Sequence, residues 1–132
     1  MATSNIKAII KCDIAKVWET VLAVEKYQWR SDLSKTVIIS EKQFIEYTKK
    51  GYPTTFTVTS TELYKRWEFD MDNSNIKGHW IGIFTSKGEE TEIEFTEHVT
   101  AKKFYLKPVV KFYLKNQQKH YMEDLKKALL QI

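Results

Sequence analysis

Few residues in this sequence have side chains that could take part in acid–base chemistry inside a folded domain. The sequence pattern places Arg30 and Glu97 near the edge of the interior and Tyr121 on the apolar side of a helix. Guanidinium, carboxyl and phenol groups become useful in proton transfer where burial and neighbouring charges change their pKa values. We therefore take Tyr121, Glu97 and Arg30 as catalytic candidates. An alternative stays open, in which Arg30 and the nearby Asp32 form only a local structural ion pair.

A second polar pair could orient a bound molecule. Gln117 and Tyr121 lie four residues apart in the C-terminal segment, so a helix there places both on one face. An amide and a phenol on that face would meet the interior together, and both can donate and accept hydrogen bonds. The alternative, that each bonds to backbone at the edge of the sheet, also stays open.

The histidines do not form a recognisable metal or catalytic motif. His79, His98 and His120 are scattered singly, without the spacings typical of zinc ligands. Strand alternation points His79 and His98 outward, and His120 stands beside Lys119 on the expected solvent side of a helix. The sequence also has no Gly-x-Ser-x-Gly motif and no glycine-rich phosphate loop. We predict no metal and no cofactor.

Cys12 is the only cysteine, so the chain as given cannot form an internal disulfide. This fits a reducing compartment, and the expected location is the cytoplasm. Nothing in the sequence marks Cys12 as a nucleophile, and a small buried apolar residue is the simpler interpretation. The N-terminus has no pattern of a signal peptide, and no apolar run is long enough to cross a bilayer.

The spacing of the apolar residues changes along the chain and distinguishes predicted strands from predicted helices. Alternation of apolar and polar residues predicts strands at 5–11, 36–40, 43–47, 54–61, 63–71, 76–86 and 91–99. Asp13 is a candidate N-cap for a helix that continues to Val24, and helical periodicity returns after Pro108. The predicted apolar stripe of this last helix consists of Val110, Tyr113 or Leu114, Gln117, Tyr121, Leu125 and Leu129.

The predicted inner side of the strands is rich in aromatic residues, namely Phe56, Trp67, Phe69, Trp80, Phe84 and Phe95. Gly78 and Gly82 share that side with Trp80, in the segment GHWIGIF. Glycine inside a strand is unfavourable unless another group uses the vacated space. Two interpretations remain open: the glycines let the sheet bend around Trp80, or they also widen a ligand cavity.

These elements predict one α+β domain spanning residues 1–132. The expected order is strand, helix, further antiparallel strands joined by short turns, and a long C-terminal helix. A sheet of about six to seven strands with one apolar face buries that face most simply by curling around the helix.

Several short segments also carry a resemblance to a known family. They are the helix DIAKVWETV (13–21), Trp-x-Ser-Asp-Leu (29–33), Gly-x-Trp-x-x-x-Phe (78–84), the strand ETEIEFTE (90–97) and the helix QQKHYMEDLKKAL (117–129). Together they resemble the SRPBCC superfamily, which includes START-like lipid-binding domains, Bet v 1-like proteins and polyketide cyclases. The resemblance implies a helix-grip fold around an apolar cavity. Functions in that superfamily vary widely, so the function of this chain depends on its own site.

The positive charge of the chain is concentrated at its C-terminal end. Residues 101–132 contain eight lysines and two acidic residues, and lysines at 103, 107, 111, 115 and 119 recur every four positions. We expect a solvated outer face opposite the apolar stripe. Transient contact with a membrane or an acidic protein is the alternative, and a homodimer also stays open. No nucleic-acid motif accompanies the charge, so nucleic acid is not an expected partner.

The functional expectation is therefore a cavity that binds an apolar or aromatic small molecule, lipid-like or polyketide-like. The expected ligand-binding residues are Trp29, Phe56, Trp67, Phe69, Trp80, Phe84, Phe95, Tyr113, Gln117 and Tyr121. Two alternatives are kept: a cyclase or dehydratase that uses the same cavity, and a chaperone- or partner-binding module that uses the basic helix. A titratable group with a perturbed pKa deep in the cavity would favour the enzyme.

Overall fold

A computed structural model of the protein, which describes residues 1–130, contains one seven-stranded antiparallel sheet and two α-helices. The strands are β1 (Ala2–Ile10), β2 (Leu33–Ile38), β3 (Gln43–Thr48), β4 (Pro53–Glu62), β5 (Arg66–Asp72), β6 (Ile76–Lys87) and β7 (Glu90–Ala101). Helix α1 (Ile14–Leu22) follows β1, and a short 3₁₀ turn (Phe104–Leu106) leads into helix α2 (Lys107–Leu130). The strand order β1-β7-β6-β5-β4-β3-β2 places the first strand beside the last. This confirms the predicted α+β class and the helix-grip arrangement.

Helix α1 begins where the sequence predicts. The side chain of Asp13 accepts a hydrogen bond from the backbone N–H of Lys16 at 2.9 Å, which satisfies one free donor of the first turn. Val17, Trp18 and Val21 are buried on the side facing the sheet. The helix therefore covers the end of the sheet formed by β6 and β7.

Helix α2 begins at Lys107, so Pro108 lies in its first turn. A proline is tolerated there because the missing N–H would have no partner within the helix. The buried stripe consists of Val110, Leu114, Gln118, Met122, Leu125 and Leu129. The predicted stripe was therefore partly wrong. Gln117 and Tyr121 are only half-buried and lie beside the stripe, whereas Gln118 lies within it.

Gln118 attaches the middle of α2 to the sheet. Its Nε2 donates to the backbone oxygen of Ser4 at 3.1 Å and to that of Phe95 at 3.3 Å. Ser4 Oγ donates to Gln118 Oε1 at 2.7 Å. A buried amide is stable only when its groups are paired, and here the pairing holds the helix against β1 and β7.

The segment GHWIGIF lies on β6 with the predicted alternation: Trp80, Gly82 and Phe84 are buried on the inner side. A Cβ atom at Gly82 would lie 2.4 Å from the Trp80 ring, and one at Gly78 would lie 2.8 Å from Val99 Cγ2. Neighbouring groups therefore already fill the space that the glycines vacate. The glycines accommodate Trp80 and Val99, and the interpretation that they widen a cavity is wrong.

Candidate functional site

A cavity of about 170 Å³ lies between the inner face of the sheet, the end of α1 and helix α2. Part of its lining is an aromatic wall formed by Phe44, Phe56, Trp67, Phe69, Trp80 and Phe95. The rest is a mixture of apolar and polar residues, and its polar members include Arg30 and Asp32 after α1, Glu46 on β3, Glu97 on β7, and Gln117 and Tyr121 on α2. The sheet supplies the apolar surface because its inner residues alternate with outward polar ones.

The aromatic wall is packed ring against ring. Phe69 stacks on Trp80 with ring centroids 4.7 Å apart, and Phe44 stacks on Phe56 at 4.9 Å. Trp67 meets Trp80 edge to face at 5.8 Å. Aromatic pairs in these arrangements add about 0.5–1.5 kcal/mol beyond the burial of their surface. The wall is therefore preformed without a ligand.

All but one of the residues expected to bind a ligand line this cavity. The exception is Phe84, which is buried outside the cavity lining and packs edge to face on Trp18 at 4.9 Å. Phe84 is four residues beyond Trp80 on the same strand, a distance of roughly 13 Å along an extended chain. A residue on the inward side of the strand therefore does not necessarily line the cavity.

Arg30 is the centre of the polar part of the site. Its guanidinium donates to both oxygens of Asp32, with both N–O distances at 3.0 Å, and to Glu46 Oε2 at 3.4 Å. The same guanidinium lies 4.7 Å from the centroid of the Tyr121 ring. The predicted ion pair between Arg30 and Asp32 is present, and it extends to a carboxylate on β3.

Helix α2 positions this arginine through its two flanking residues. Ser31 donates from both its backbone N–H and its hydroxyl to Asp124 Oδ2, at 2.8 and 2.7 Å. Trp29 packs edge to face on Tyr121 at 5.3 Å. The segment Trp29–Arg30–Ser31 is therefore held against one turn of α2, which closes one side of the cavity.

Burial raises the pKa of Glu46, and the charge of Arg30 offsets only part of this effect. For Arg30, burial alone would lower the pKa, but the charge of Glu46 and the hydrogen bonds to Asp32 outweigh it and raise the pKa. Arg30 therefore stays charged, with its donors directed at carboxylates of the protein itself.

Glu97 is the most unusual titratable group of the cavity. Burial raises its pKa to about 7, against an ordinary value of 4.5, and the charge of Arg30 reduces the shift. Within residues 1–130 its carboxyl group has no hydrogen-bond partner. Glu97 is therefore a mixture of acid and carboxylate near neutral pH, and it can give or take a proton there.

Tyr121 contributes a neutral phenol to the same cavity. Burial raises its pKa, partly offset by the charge of Arg30, so the hydroxyl keeps its proton at any ordinary pH. None of the described residues pairs with this hydroxyl. Gln117, which was expected to meet the interior together with Tyr121, donates to the Tyr113 hydroxyl at 3.0 Å, and Tyr113 is 54% exposed. Gln117 and Tyr113 therefore form part of the rim, and Tyr121 faces the cavity.

Two lining residues escaped the sequence-based prediction although a signal for them existed. Phe44 and Glu46 alternate with outward residues on β3, so both share the inner side. Glu46 lies two positions from Phe44 and therefore shares its inward side, where an apolar residue is normally expected. An unpaired buried charge is costly, so a carboxylate at such a position is informative. It points to a buried partner, which here is Arg30.

The remaining chemical candidates lie elsewhere, as expected. His79 and His98 are on the outer face of the sheet, where they pair with Glu68, Asp70 and Thr3. Cys12 is half-buried against the core. Residues 1–130 contain no group of three or more potential ligands arranged for a metal ion. No helix in this part of the chain is long and apolar enough to span a bilayer.

Comparison with solved structures identifies the fold. A START superfamily protein from Mycobacterium smegmatis superposes with a TM-score of 0.88 over 98% of this chain and 97% of the other, at 13% identity. The Zhui aromatase/cyclase from Streptomyces sp. R1128 has a TM-score of 0.86 over 96% and 92%, at 7% identity. A conserved protein from Geobacillus kaustophilus reaches 0.82 over 96% and 94%, at 11% identity.

No protein-family model matches the sequence, and no curated protein matches it. The likeness is therefore one of structure at low sequence identity. It confirms the resemblance to the SRPBCC superfamily at the level of the fold, which START-like and aromatase/cyclase proteins share.

Proposed function

We propose that the protein binds a small, mostly apolar, ring-containing molecule in the cavity between the sheet and α2. The observation that carries the proposal is the combination of a preformed aromatic wall with two inward polar groups, Glu97 and Tyr121, that have no partner among residues 1–130. Ligand sites commonly consist of an apolar wall with a few converging polar groups. A ligand oxygen would satisfy both groups.

The size of the cavity limits the ligand. A volume of about 170 Å³ is close to that of the apolar cavity of about 150 Å³ that accepts benzene. The expected ligand is therefore a single ring or a short chain, and burial of its surface contributes about 25 cal/mol per Å². A larger molecule requires α2 and the segment around Trp29 to separate.

The charges of the site favour a neutral ligand. The donors of Arg30 are directed at Asp32 and Glu46, so an anionic ligand such as a fatty acid would meet two carboxylates there, and Lys26, the other cationic residue of the described lining, is exposed. Tyr121 and the protonated form of Glu97 are hydrogen-bond donors. A carbonyl or hydroxyl oxygen on the ligand fits these groups best.

Catalysis in the same cavity is the second candidate function, and the pKa of Glu97 favours it. A carboxyl group that titrates near neutral pH suits general acid–base chemistry. The Glu97 carboxylate would take a proton from the carbon next to a carbonyl, and the Tyr121 hydroxyl would stabilise the charge developing on the oxygen. The fold shared with the Zhui aromatase/cyclase is compatible with this chemistry.

Native mass spectrometry of the purified protein tests the proposal first, by showing whether a small molecule remains bound. Calorimetric titration with p-cresol then measures binding to the wild type, Trp80→Ala and the outer-face control His79→Ala. We expect Trp80→Ala to weaken binding by at least about tenfold and His79→Ala to leave it unchanged. Equal losses in the two variants would contradict the assignment of the cavity.

Substitutions at two further positions separate the outcomes. Val24→Trp fills the cavity from its half-buried side, so it should abolish binding without removing a core side chain, whereas Val24→Ala should not. Glu97→Gln keeps the shape of the side chain but cannot transfer a proton. If the protein is an enzyme, Glu97→Gln should bind the ligand within a few-fold of the wild type and lose turnover.

A further inference from the structure

The outward side of the first half of α2 carries apolar residues where a surface helix normally carries polar ones. Phe104 and Phe112 are 81% and 84% exposed. They belong to a cluster that we call the aromatic–lysine face, consisting of Phe104, Tyr105, Val109, Phe112, Tyr113, Lys107 and Lys111. Exposed large apolar groups are ordinary when single, but a contiguous patch marks an interaction surface.

The core of the domain does not explain these residues. The buried side of the same helix segment is formed by Val110 and Leu114. At 3.6 residues per turn, Val109 and Phe112 point away from that side. The helix is therefore apolar on two sides, and only one of them packs against the sheet.

The charge around the face is uniformly positive. Residues 102–115 contain five lysines and no acidic residue. Lys102 pairs with Asp72, and Lys115 donates to the backbone oxygen of Asn5. Lys107 and Lys111 have no acidic partner among residues 1–130, so their charges are available beside the two exposed phenylalanines. The expected solvated face opposite the apolar stripe is thus aromatic at its centre, with lysines at its sides.

We propose that the aromatic–lysine face docks on an anionic lipid surface. Aromatic and aliphatic side chains flanked by lysines on one exposed helix are typical of segments that lie at a bilayer interface. Each lysine near an anionic surface adds to the attraction. A second copy of the chain is a poor occupant, because a symmetric contact would place this positively charged face against an identical, equally positive face.

The position of the face connects docking with the cavity. Tyr113 belongs both to the face and to the rim of the cavity, so docking brings the rim to the lipid surface. An apolar ligand could then enter from the membrane without crossing bulk water. This last step rests on the proposed ligand binding, whereas docking itself does not.

Sedimentation with vesicles tests the docking. The full chain is mixed with vesicles of phosphatidylcholine alone or with roughly one-third phosphatidylserine, at low and at high salt. We expect binding only to the anionic vesicles, and weaker binding at high salt because screening shortens the range of the attraction. Failure to bind anionic vesicles at low salt would overturn the proposal, even if p-cresol binding is intact.

Matched variants identify the surface. Phe112→Ser and Phe104→Ser should each weaken binding by at least about tenfold, since each removes an inserting aromatic group. Lys107→Glu and Lys111→Glu should each weaken it by at least about fivefold. The controls are Leu63→Ser, an apolar residue that is 65% exposed in a distant turn, and Lys42→Glu, an exposed lysine of another hairpin. Equal losses in the controls would overturn the assignment.

An acidic protein or a second copy of the chain as the partner would give different results. Binding to polyglutamate but not to vesicles would overturn the lipid proposal in favour of an acidic protein. Concentration-dependent dimerisation that Phe112→Ser abolishes, without vesicle binding, would overturn it in favour of self-association. All substituted side chains are exposed, and thermal unfolding of each variant shows whether the fold is intact.

Discussion

A charged cluster lies against each face of the sheet. Both clusters pair cationic side chains with carboxylates, but the inner cluster borders the cavity and the outer cluster lies at the protein surface. On the inner face, Arg30 holds Glu46 and Asp32 beside the cavity, and the Arg30 side chain is 14% exposed. On the outer face, His79 pairs through its two ring nitrogens with Glu68 and Asp70, each at 2.7 Å, and its side chain is 31% exposed. Similar cations and carboxylates thus meet in both places, with the Arg30 side chain less exposed to solvent than that of His79.

The difference appears in the pKa of the carboxyl groups. On the inner face, burial raises the pKa of Glu46 despite its ion pair. On the outer face, hydrogen bonds from His79 and Arg66 lower the pKa of Glu68 because little desolvation opposes them. Desolvation therefore separates the two carboxyl groups, because it outweighs the ion pair of Glu46 but is outweighed by the hydrogen bonds of Glu68.

The largest test of this contrast is to remove Arg30. Arg30→Met leaves Glu46 and Asp32 beside the cavity without their cation, and an uncompensated buried charge costs about 3–5 kcal/mol. The free energy of unfolding, measured by urea denaturation at neutral pH, should fall by that amount.

Two comparisons control this prediction. Adding Glu46→Gln to Arg30→Met should restore at least about half of the lost stability, because one orphaned charge disappears. Arg66→Met removes the arginine of the outer cluster, whose side chain is 40% exposed, and should cost less than about 1 kcal/mol. If Arg30→Met costs no more than Arg66→Met, the inner cluster behaves as a surface pair and the contrast fails.

The second test concerns Glu97 and pH. Its pKa in the folded protein is about 7, above the ordinary value of 4.5. The folded state thus binds the proton more tightly than the unfolded state does. The resulting stabilisation is complete below about pH 4.5 and is lost as the pH rises through about 7. At about pH 8 the loss amounts to at most about 3 kcal/mol.

Glu97→Gln should remove this dependence. The free energy of unfolding of the variant, relative to the wild type, should rise by up to about 3 kcal/mol between about pH 4.5 and pH 8. Glu92→Gln, on the same strand but on its outer side, controls for the loss of a carboxyl group. A difference between Glu97→Gln and the wild type that does not vary with pH would show that Glu97 is not buried.

The sequence was sufficient to predict the fold because its local signals agreed with one another. Alternation predicted the strands, Asp13 marked the start of α1, and the apolar stripe required α2 to pack on the sheet. The positions of Trp80 and Gly82 followed from alternation alone. Each of these signals reports which side of a helix or strand faces inward. A fold with one sheet has a single core, so knowing the inward side of each element is enough to predict how the elements pack.

The site was less predictable because its contacts join distant parts of the chain. Arg30 meets Glu46 and Tyr121 only when the segment after α1 folds onto α2, and no local period reports that contact. The error in the stripe of α2 had a different origin. Gln118 lies four residues from both Leu114 and Met122, so helical spacing places it in the stripe, and Ser4 on β1 provides a partner for its buried amide.

The smallest expected effect belongs to His79 on the outer face. Burial alone would lower the pKa of its imidazole, but the hydrogen bonds to Glu68 and Asp70 outweigh it and raise the pKa above the ordinary value of 6.5. The stabilisation from these bonds is therefore complete below about pH 6.5 and is lost as the pH rises through the raised value. Because Asp70 is 60% exposed and His79 31%, solvent screens these bonds, and the size of the effect should be only about 0.5 kcal/mol.

His79→Gln should accordingly lower the free energy of unfolding by about 0.5 kcal/mol near pH 5.5 and leave it nearly unchanged near pH 9. Titration of the imidazole by nuclear magnetic resonance should place its pKa above 6.5. Added salt should reduce the effect, since exposed charges are screened within about 10 Å at moderate ionic strength. A loss above about 2 kcal/mol that persists in salt would show the outer cluster to be as desolvated as the inner one. In that case exposure would no longer explain why the carboxyl groups of the two faces differ.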